Sequence, residues 1–310
     1  MSKKILLISG LTGFVGTNLQ KYLGQEFDLK AVPRIKYSKL EEFNNYFKIN
    51  NTNSAIIHLA GMAHDLKKVS KPEDYYKVNT DLTKIIFDKF LLSNTKIFIF
   101  LSSVKAVADE VYDILTEETL PNPSTHYGKS KLQAEQYILS KKIPDDKRVY
   151  ILRPCMIHGP GNKGNLNLLF KLISKGIPWP LGAFYNKRSF CSIDNLMFII
   201  KELIERDDIP SGVYNVADYE ALSTNDVISI LAESQNKKSK IWKVSKGLIQ
   251  FLAKLGDILR LPLTTERLQK LTESYVVSNQ KIKSAIGKDL PVSAKDGLLK
   301  TFNSFNNSAE

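Results

Sequence analysis

"KKILLISGLTGFVGTNLQKYLGQ", residues 3–25, joins two periodicities through three glycines. Ile5 to Ile8 is a short apolar run with Gly10 soon after it, the pattern of a buried strand. Beyond it Phe14, Val15, Leu19, Tyr22 and Leu23 recur at helical spacing. Gly10, Gly13 and Gly16 span the turn between the two. Gly10 allows the tight turn, Gly13 lets a pyrophosphate come against the backbone, and Gly16 lets the helix pack closely on the strand. The helix N-terminus, at Phe14 and Val15, offers free N–H groups and the positive end of its dipole to phosphates. A three-glycine turn alone can be merely structural. Between a first strand and a first helix it predicts a dinucleotide site.

Working outward, "FDLKAVPR", "SAIIHLAG", "KIFIFLSS" and "VYILRP", stopped by Pro154, read as further strands. "PEDYYKVNTDLTKIIFDKFLLS", with Pro72 near its start, and "STHYGKSKLQAEQYILSKK" read as helices between them. Alternation of this kind requires right-handed crossovers and a parallel sheet with helices on both faces. The expected fold is therefore α/β, a Rossmann-type doubly wound parallel sheet. After "CMIHGPGNKGN" the rhythm changes to helices and loops, and "GVYNVAD" is placed to return to the sheet. The expected organisation is a dinucleotide-binding domain over 1–158 with a return segment at 189–219. Residues 159–188 and 220–310 then form a smaller, mostly helical substrate lobe.

The 310 residues are 43% apolar and 25% charged, ordinary for a globular enzyme. Cys155 and Cys191 are the two cysteines, so no disulfide framework is expected and a reducing cytoplasm is the default. The run Ile5 to Ile8 is too short for a signal peptide, and no run reaches the length of a membrane span. The formal net charge is +12, but the lysines are scattered, without a basic block or interleaved aromatics. That argues against nucleic acid and for a solvated surface that also serves an anionic ligand. The stretch from Lys246 to Leu261 mixes Leu and Ile with lysines. It is expected to pack on the C-terminal lobe as an amphipathic helix, the alternative being a helix lying on a membrane.

An acid usually ends the second strand when NAD is bound; here Arg34 and Lys36 follow it, and no acid comes before Glu41. A guanidinium pairs with a 2′-phosphate, so NADP(H) is favoured. NAD(H) is the alternative, with Arg34 stacked on adenine or facing solvent. Leu59, Ala60 and Gly61 end the "HLAG" strand where small residues let the backbone approach a cofactor, and His58 reads as a packed strand residue. Pro154 is a further candidate cofactor contact. Tyr127 and Lys131 stand at i and i+4 on one helix and share a face. A nearby ammonium is expected to pull the phenol toward neutrality, so that Tyr127 can exchange a proton while a nicotinamide exchanges hydride. Ser103 closes a strand at the edge where open sheets bind ligands, about two dozen residues earlier. That distance is what one strand end, one loop and one helix require.

The glycine turn, "HLAG", "LSS", "YGKSK" and "LRPCMIHGPG", in that order, resemble the extended short-chain dehydrogenase/reductase family, the nucleotide-sugar epimerase, dehydratase and reductase group. The resemblance covers nearly the whole chain. It implies Ser103, Tyr127 and Lys131 as the catalytic triad and Asn79 as a cofactor contact. "LSSVKAV" and "GPGNKGNLNLLFKLISKGIPWPLGAFYNKRSFCSIDNL" further resemble a bacterial subgroup that reduces the C4 ketone of a UDP-4-keto-6-deoxy-N-acetylglucosamine for surface polysaccharide. That likeness implies Asn165 and Arg188 as contacts of the UDP moiety, with Arg267 as a weaker second phosphate contact. Lys105 is implied near the sugar, the alternative being a solvated lysine. A homodimer is a family expectation. The chain departs from the family at Val107 and Ala108, where tyrosine and glycine respectively are usual, at "INNTNSA" and at "GKDLP". A 4,6-dehydratase would carry Asp-Glu directly after the serine, where Val104 and Lys105 stand. The readings left are a 4-ketoreductase, a UDP-hexose or UDP-N-acetylhexosamine 4-epimerase with tightly bound NAD, and, from another class, a non-catalytic dinucleotide sensor.

Overall fold

A computed structural model of the chain describes residues 3–33, 54–62, 71–162, 164–261 and 263–306. In chain order β1 (Ile5–Ser9) leads through the glycine turn into α1 (Phe14–Leu23) and β2 (Asp28–Ala31). β3 (Ala55–His58), a long helix α2 over 72–92, β4 (Ile97–Leu101), the short β5 (Ile114–Leu115), α3 (His126–Leu139) and β6 (Arg148–Pro154) follow. These strands and β9 (Gly212–Val216), apart from β5, form a six-stranded sheet of order β2-β1-β3-β4-β6-β9, parallel throughout. The chain leaves β1 toward β2 on one side and crosses to β3 on the other. Strand order therefore reverses at β1, and a crevice opens beyond the carboxyl ends of β1 and β3, where Ser9 pairs with His58.

Period-two alternation decides which helix each strand residue meets. Leu6, Ile8, Ile57 and Ile99 face the layer that holds Leu19 and Leu23 of α1 and Ile200 and Leu203 of α5 (Ile193–Glu205). Leu7, Ile56, Phe98 and Phe100 face Phe87 and Phe90 of α2 and Ala134 and Ile138 of α3. The Phe87 and Phe98 rings meet edge-on at 5.0 Å. Both faces of the sheet are covered, which is why its strands read as continuous apolar runs.

A separate apolar cluster lies in the C-terminal part. It joins α4 (Asn165–Ser174), α6 (Thr224–Glu233), α7 (Lys246–Leu259), α8 (Thr265–Thr272) and α10 (Ala294–Asn306) through residues such as Ile173, Leu231, Ile249, Leu268 and Phe302. Two small parallel ladders connect this part to the sheet. β7 (Met156–His158) pairs with β8 (Phe190–Ser192), and β5 pairs with β10 (Val276–Val277). The second ladder carries Glu273 and Tyr275 to the loop that follows β4.

α7 packs on the C-terminal lobe, but through a narrow face. Ile249, Ala253 and Gly256 form a narrow buried stripe, and a Cβ on Gly256 would overlap the Leu263 carbonyl oxygen. Leu248, Phe251, Leu252, Ile258 and Leu259 are left exposed. The small stripe, not the bulky apolar face, is what the lobe takes up. Among the described residues, no helix is long and apolar enough to cross a membrane.

Candidate active site

The turn after β1 is built for close approach. Gly10 has φ +79°, and a Cβ there would lie 2.7 Å from the Ala60 backbone nitrogen. A Cβ on Gly16 would lie 2.4 Å from the Gly10 carbonyl oxygen. Gly13 is the N-cap of α1 and has no side chain to cap the first-turn N–H groups, and partly buried Phe14 and Val15 open the helix. His58 is fully buried, its two ring nitrogens bonded to the hydroxyls of Ser9 and Thr83. Burial, reinforced by the Lys131 charge, pushes its pKa down to about 3, so it is a neutral tether between β1, β3 and α2.

α2 is α-helical over Pro72–Tyr75, π-helical over Tyr76–Asp81 and α-helical again over Leu82–Leu92. The wider π turn carries Asn79, fully buried, to the end of β3. Asn79 accepts from the Met62 N–H at 2.8 Å and donates to the Met62 carbonyl at 3.1 Å and to Ser130 at 3.0 Å. It thus pins Met62 onto α3. A Cβ on Gly61 would come to 3.0 Å from both Asn79 Oδ1 and Lys131 Nζ.

α3 presents Tyr127 and Lys131. Its start is fixed by Thr125, whose hydroxyl accepts from the Gly128 N–H, and by Asp109, which accepts from the N–H and hydroxyl groups of Ser124 and Thr125. Burial would raise the pKa of Asp109, but those bonds outweigh it and hold the carboxylate charged. Ser103 follows β4 and caps the short turn Val104–Ala106, and its side chain is hydrogen-bonded to Tyr127. Burial pushes the Tyr127 hydroxyl pKa up, the Ser103 bond pulls against that, and Tyr75, edge-on at 6.4 Å, adds to the rise. This corrects the expectation that Lys131 draws the phenol toward neutrality. The Lys131 ammonium instead donates to the Leu101 carbonyl at 2.8 Å and sits 4.8 Å over the Phe100 ring. Burial lowers its pKa to about 8 against the pull of Glu135.

Beside Ser103 and Tyr127 lies a cavity of about 520 Å³. Ser103, Lys105, Tyr127, Arg188, Glu273 and Tyr275 are among the residues that line it. Lys105 is partly buried. Its ammonium donates to the Asp109 carbonyl at 2.7 Å, stands 4.2 Å over the Tyr275 ring, and has its pKa lowered by burial. Arg188 donates to the Glu273 carboxylate at 2.8 Å, the Glu273 carbonyl at 3.2 Å and the Lys270 carbonyl at 2.6 Å. Arg267 is not brought here. Glu266, Gln269, Lys270 and Glu273 repeat at helical spacing along the face of α8 that lines the cavity, and Arg267 falls on another face, beside Asp257 and Arg260. Pro154 is buried at the end of β6, paired with Val216. Arg34 lies outside the described residues, as does the side chain of Asn165, whose backbone opens α4.

A model of the NAD dependent epimerase/dehydratase family matches residues 6–217. The chain belongs to this family. As a member it carries a nicotinamide dinucleotide site, and the cradle fits the group: Gly10, Gly16 and Gly61 stand where side chains would collide with backbone or with Lys131. A UDP-glucose 4-epimerase of Vibrio cholerae is 29% identical over 97% of this chain and 95% of that protein. Two solved structures share the fold. WbmG of Bordetella bronchiseptica, in complex with NAD, has a TM-score of 0.76 at 15% identity over 99% of this chain and 95% of that one. RMD of Pseudomonas aeruginosa, complexed with NADPH, has a TM-score of 0.75 at 21% identity over 99% and 100%.

Several residues of the site escaped the sequence reading. Glu135 forms a buried pair with Arg153 and accepts from Ser102. Its position, one helical step of four beyond Lys131, was an available signal. Glu273 and Tyr275 gave none, because each reaches the site through the folding back of a distant segment, and Asp109 gave none because its bonds run across a loop to Ser124 and Thr125.

Proposed function

We propose that this family member reduces the C4 ketone of a UDP-4-keto-6-deoxy-N-acetylhexosamine with NADPH, supplying a surface polysaccharide precursor. The observation that carries the reading is the joint placement of Ser103 and Tyr127 at the wall of a cavity that Arg188 shares. A nicotinamide dinucleotide bound along the glycine turn supplies the hydride. Tyr127 holds the proton that O4 needs, and burial keeps it protonated, the form that reduction consumes. Ser103, already bonded to Tyr127, orients the carbonyl oxygen. Lys131, at the end of the "LAG" turn, holds the nicotinamide ribose. Lys105 and Arg188 meet the sugar and the diphosphate. Val104 and Lys105, in the two positions after Ser103, provide no carboxylate for dehydration across C5 and C6. The preference for NADPH rests on Arg34 and Lys36 in the sequence.

A second reading is a UDP-hexose or UDP-N-acetylhexosamine 4-epimerase with retained NAD. It is favoured by the near full-length similarity to the Vibrio cholerae epimerase. The discriminating experiment adds UDP-4-keto-6-deoxy-N-acetylglucosamine to protein and NADPH and follows reduced-nicotinamide absorbance, with product NMR. Stoichiometric NADPH loss supports the reductase. No loss, with UDP-glucose or UDP-N-acetylglucosamine converted to its C4 epimer under catalytic NAD, supports the epimerase. Dinucleotide binding with neither turnover would leave the sensor.

A further inference from the structure

α7 lies outside the site and carries a surface that the redox chemistry does not use. At about 100° per residue, Leu248, Phe251, Leu252, Leu255, Ile258 and Leu259 fall within roughly one third of the helix circumference. Leu255 is partly buried and the other five are exposed, Phe251 by 61% and Ile258 by 77%. Trp242, 59% exposed, stands just before the helix. Exposed Tyr185 lies under the Lys246 ammonium, 6.0 Å from it. From 243 to 260 the charged residues are Lys243, Lys246, Lys254 and Arg260, all exposed, against the single acid Asp257. The carboxylate of Asp257 accepts from both the N–H and the hydroxyl of Thr265. The face is thus a broad apolar arc with aromatic residues at one end; Lys254 borders it, and Lys243, Lys246 and Arg260 stand at the two ends of the helix.

We propose that α7 docks this protein on an anionic lipid surface, lying in the interfacial plane with its apolar arc among the acyl chains and its cations among the headgroups. The chemistry that fits is a large apolar arc beside lysines, with Trp and Tyr at the edge. A second copy of the chain fits less well. A two-fold contact would set this face against itself and bring like cations together, on a chain whose net charge is +12. At 14 residues the helix lies on a bilayer and does not cross it.

The test is co-sedimentation of the full chain with vesicles of phosphatidylcholine alone and of phosphatidylcholine mixed with phosphatidylglycerol. Partitioning to the anionic vesicles should be at least about tenfold stronger and should weaken with salt. Phe251→Ser and Ile258→Ser should each lower it by at least about tenfold, and Lys254→Gln by about fivefold. Melting temperature and turnover should be unchanged, since these side chains are exposed and away from the cavity. No binding of the unaltered chain to anionic vesicles overturns the proposal, as does binding that survives Phe251→Ser and Ile258→Ser. A solution dimer split by those same substitutions, with vesicles leaving the chain in the supernatant, also overturns it and assigns the face to a second copy.

Discussion

Lys131→Met should stabilise the dinucleotide-free chain near neutral pH while removing its chemistry. Lys131 is 4% exposed, its ammonium bonded to one carbonyl with a phenylalanine ring beneath. Its fall from an ordinary 10.5 to about 8 places a penalty of roughly 3 kcal/mol on the charged form. Methionine keeps most of the stem's packing and discards the charge. It also loses the bond to the Leu101 carbonyl, which costs about 1–2 kcal/mol. The net gain is therefore about 1–2 kcal/mol at around pH 7. The gain depends on pH in a definite sense. Between about 8 and 10.5 the unfolded chain holds a proton that the folded chain has released. The unaltered protein therefore gains stability as pH rises through that window, and below it the penalty is in full force. The advantage of the variant should shrink from about pH 8 upward and reverse near the top of the window, where only the lost hydrogen bond remains. Urea denaturation of both proteins at several pH values across the window measures this directly. A variant less stable than the parent near pH 7, or a stability gap that stays constant through the window, refutes the reasoning.

Tyr127→Phe should lower turnover by about 10²–10⁴-fold with the UDP-sugar still bound, measured by NADPH oxidation beside calorimetric titration; unchanged turnover removes Tyr127 from the chemistry. Gly10→Ala forces a Cβ into the φ +79° turn, 2.7 Å from Ala60 N. It should cost about 1–2 kcal/mol in backbone strain alone and abolish the fluorescence change on binding reduced dinucleotide. Glu135→Ala leaves Arg153, buried and charged, without its carboxylate, and should cost about 3–5 kcal/mol in urea denaturation. The double replacement by methionine should recover most of that loss, and a double variant no better than the single one would show that the pair is not the unit of stability. If dinucleotide hydroxyls restore Lys131 toward its ordinary pKa, binding takes up a proton above about pH 8. Affinity should then fall as pH rises through that window, and fall no longer in Lys131→Met.

The strand–turn–helix at the N-terminus was legible because strand period, glycine spacing and helix period lie within two dozen contiguous residues. The six-stranded sheet followed from the same local logic repeated. Tyr127 and Lys131 were legible as a pair because four residues on a helix make one face. Their electrostatics were not, because spacing cannot show which acceptor an ammonium chooses, and the Leu101 carbonyl is 30 residues away. The resemblance offered Arg188 and, more weakly, Arg267. Arg188, just before β8, stands in the cavity wall, whereas the face of α8 that Arg267 occupies carries it beside Asp257. Tyr275 closes the cavity through a bond to the Ala108 carbonyl across 167 residues, a contact with no periodic trace. The apolar content of the stretch after Lys246 was plain, but not which of its two faces the lobe would bury. Gly256 decides that, since only a glycine lets the narrow face approach Leu263.

Tyr127, Lys131 and Glu135 follow one another at steps of four on α3, so a proton donor, a cation and an anion share a single helix face. Each makes a different demand. Tyr127 needs the cavity and the Ser103 hydroxyl. Lys131 needs to reach the sheet edge beside Gly61, where it is dry and therefore penalised. Glu135 answers both the ammonium above it and the guanidinium of Arg153 on β6, which locks α3 against the strand next to β4. The pair with Arg153 thus fixes the helix that aims the other two. A lysine held at roughly 3 kcal/mol of disadvantage persists in a fold only where the surrounding structure over-determines its position. Here that over-determination is the Asp109 and Thr125 cap at one end of the face and the Glu135–Arg153 pair at the other. The free energy that α3 forgoes at Lys131 is what a bound dinucleotide, offering hydroxyl oxygens and negative charge to the same ammonium, can return on binding.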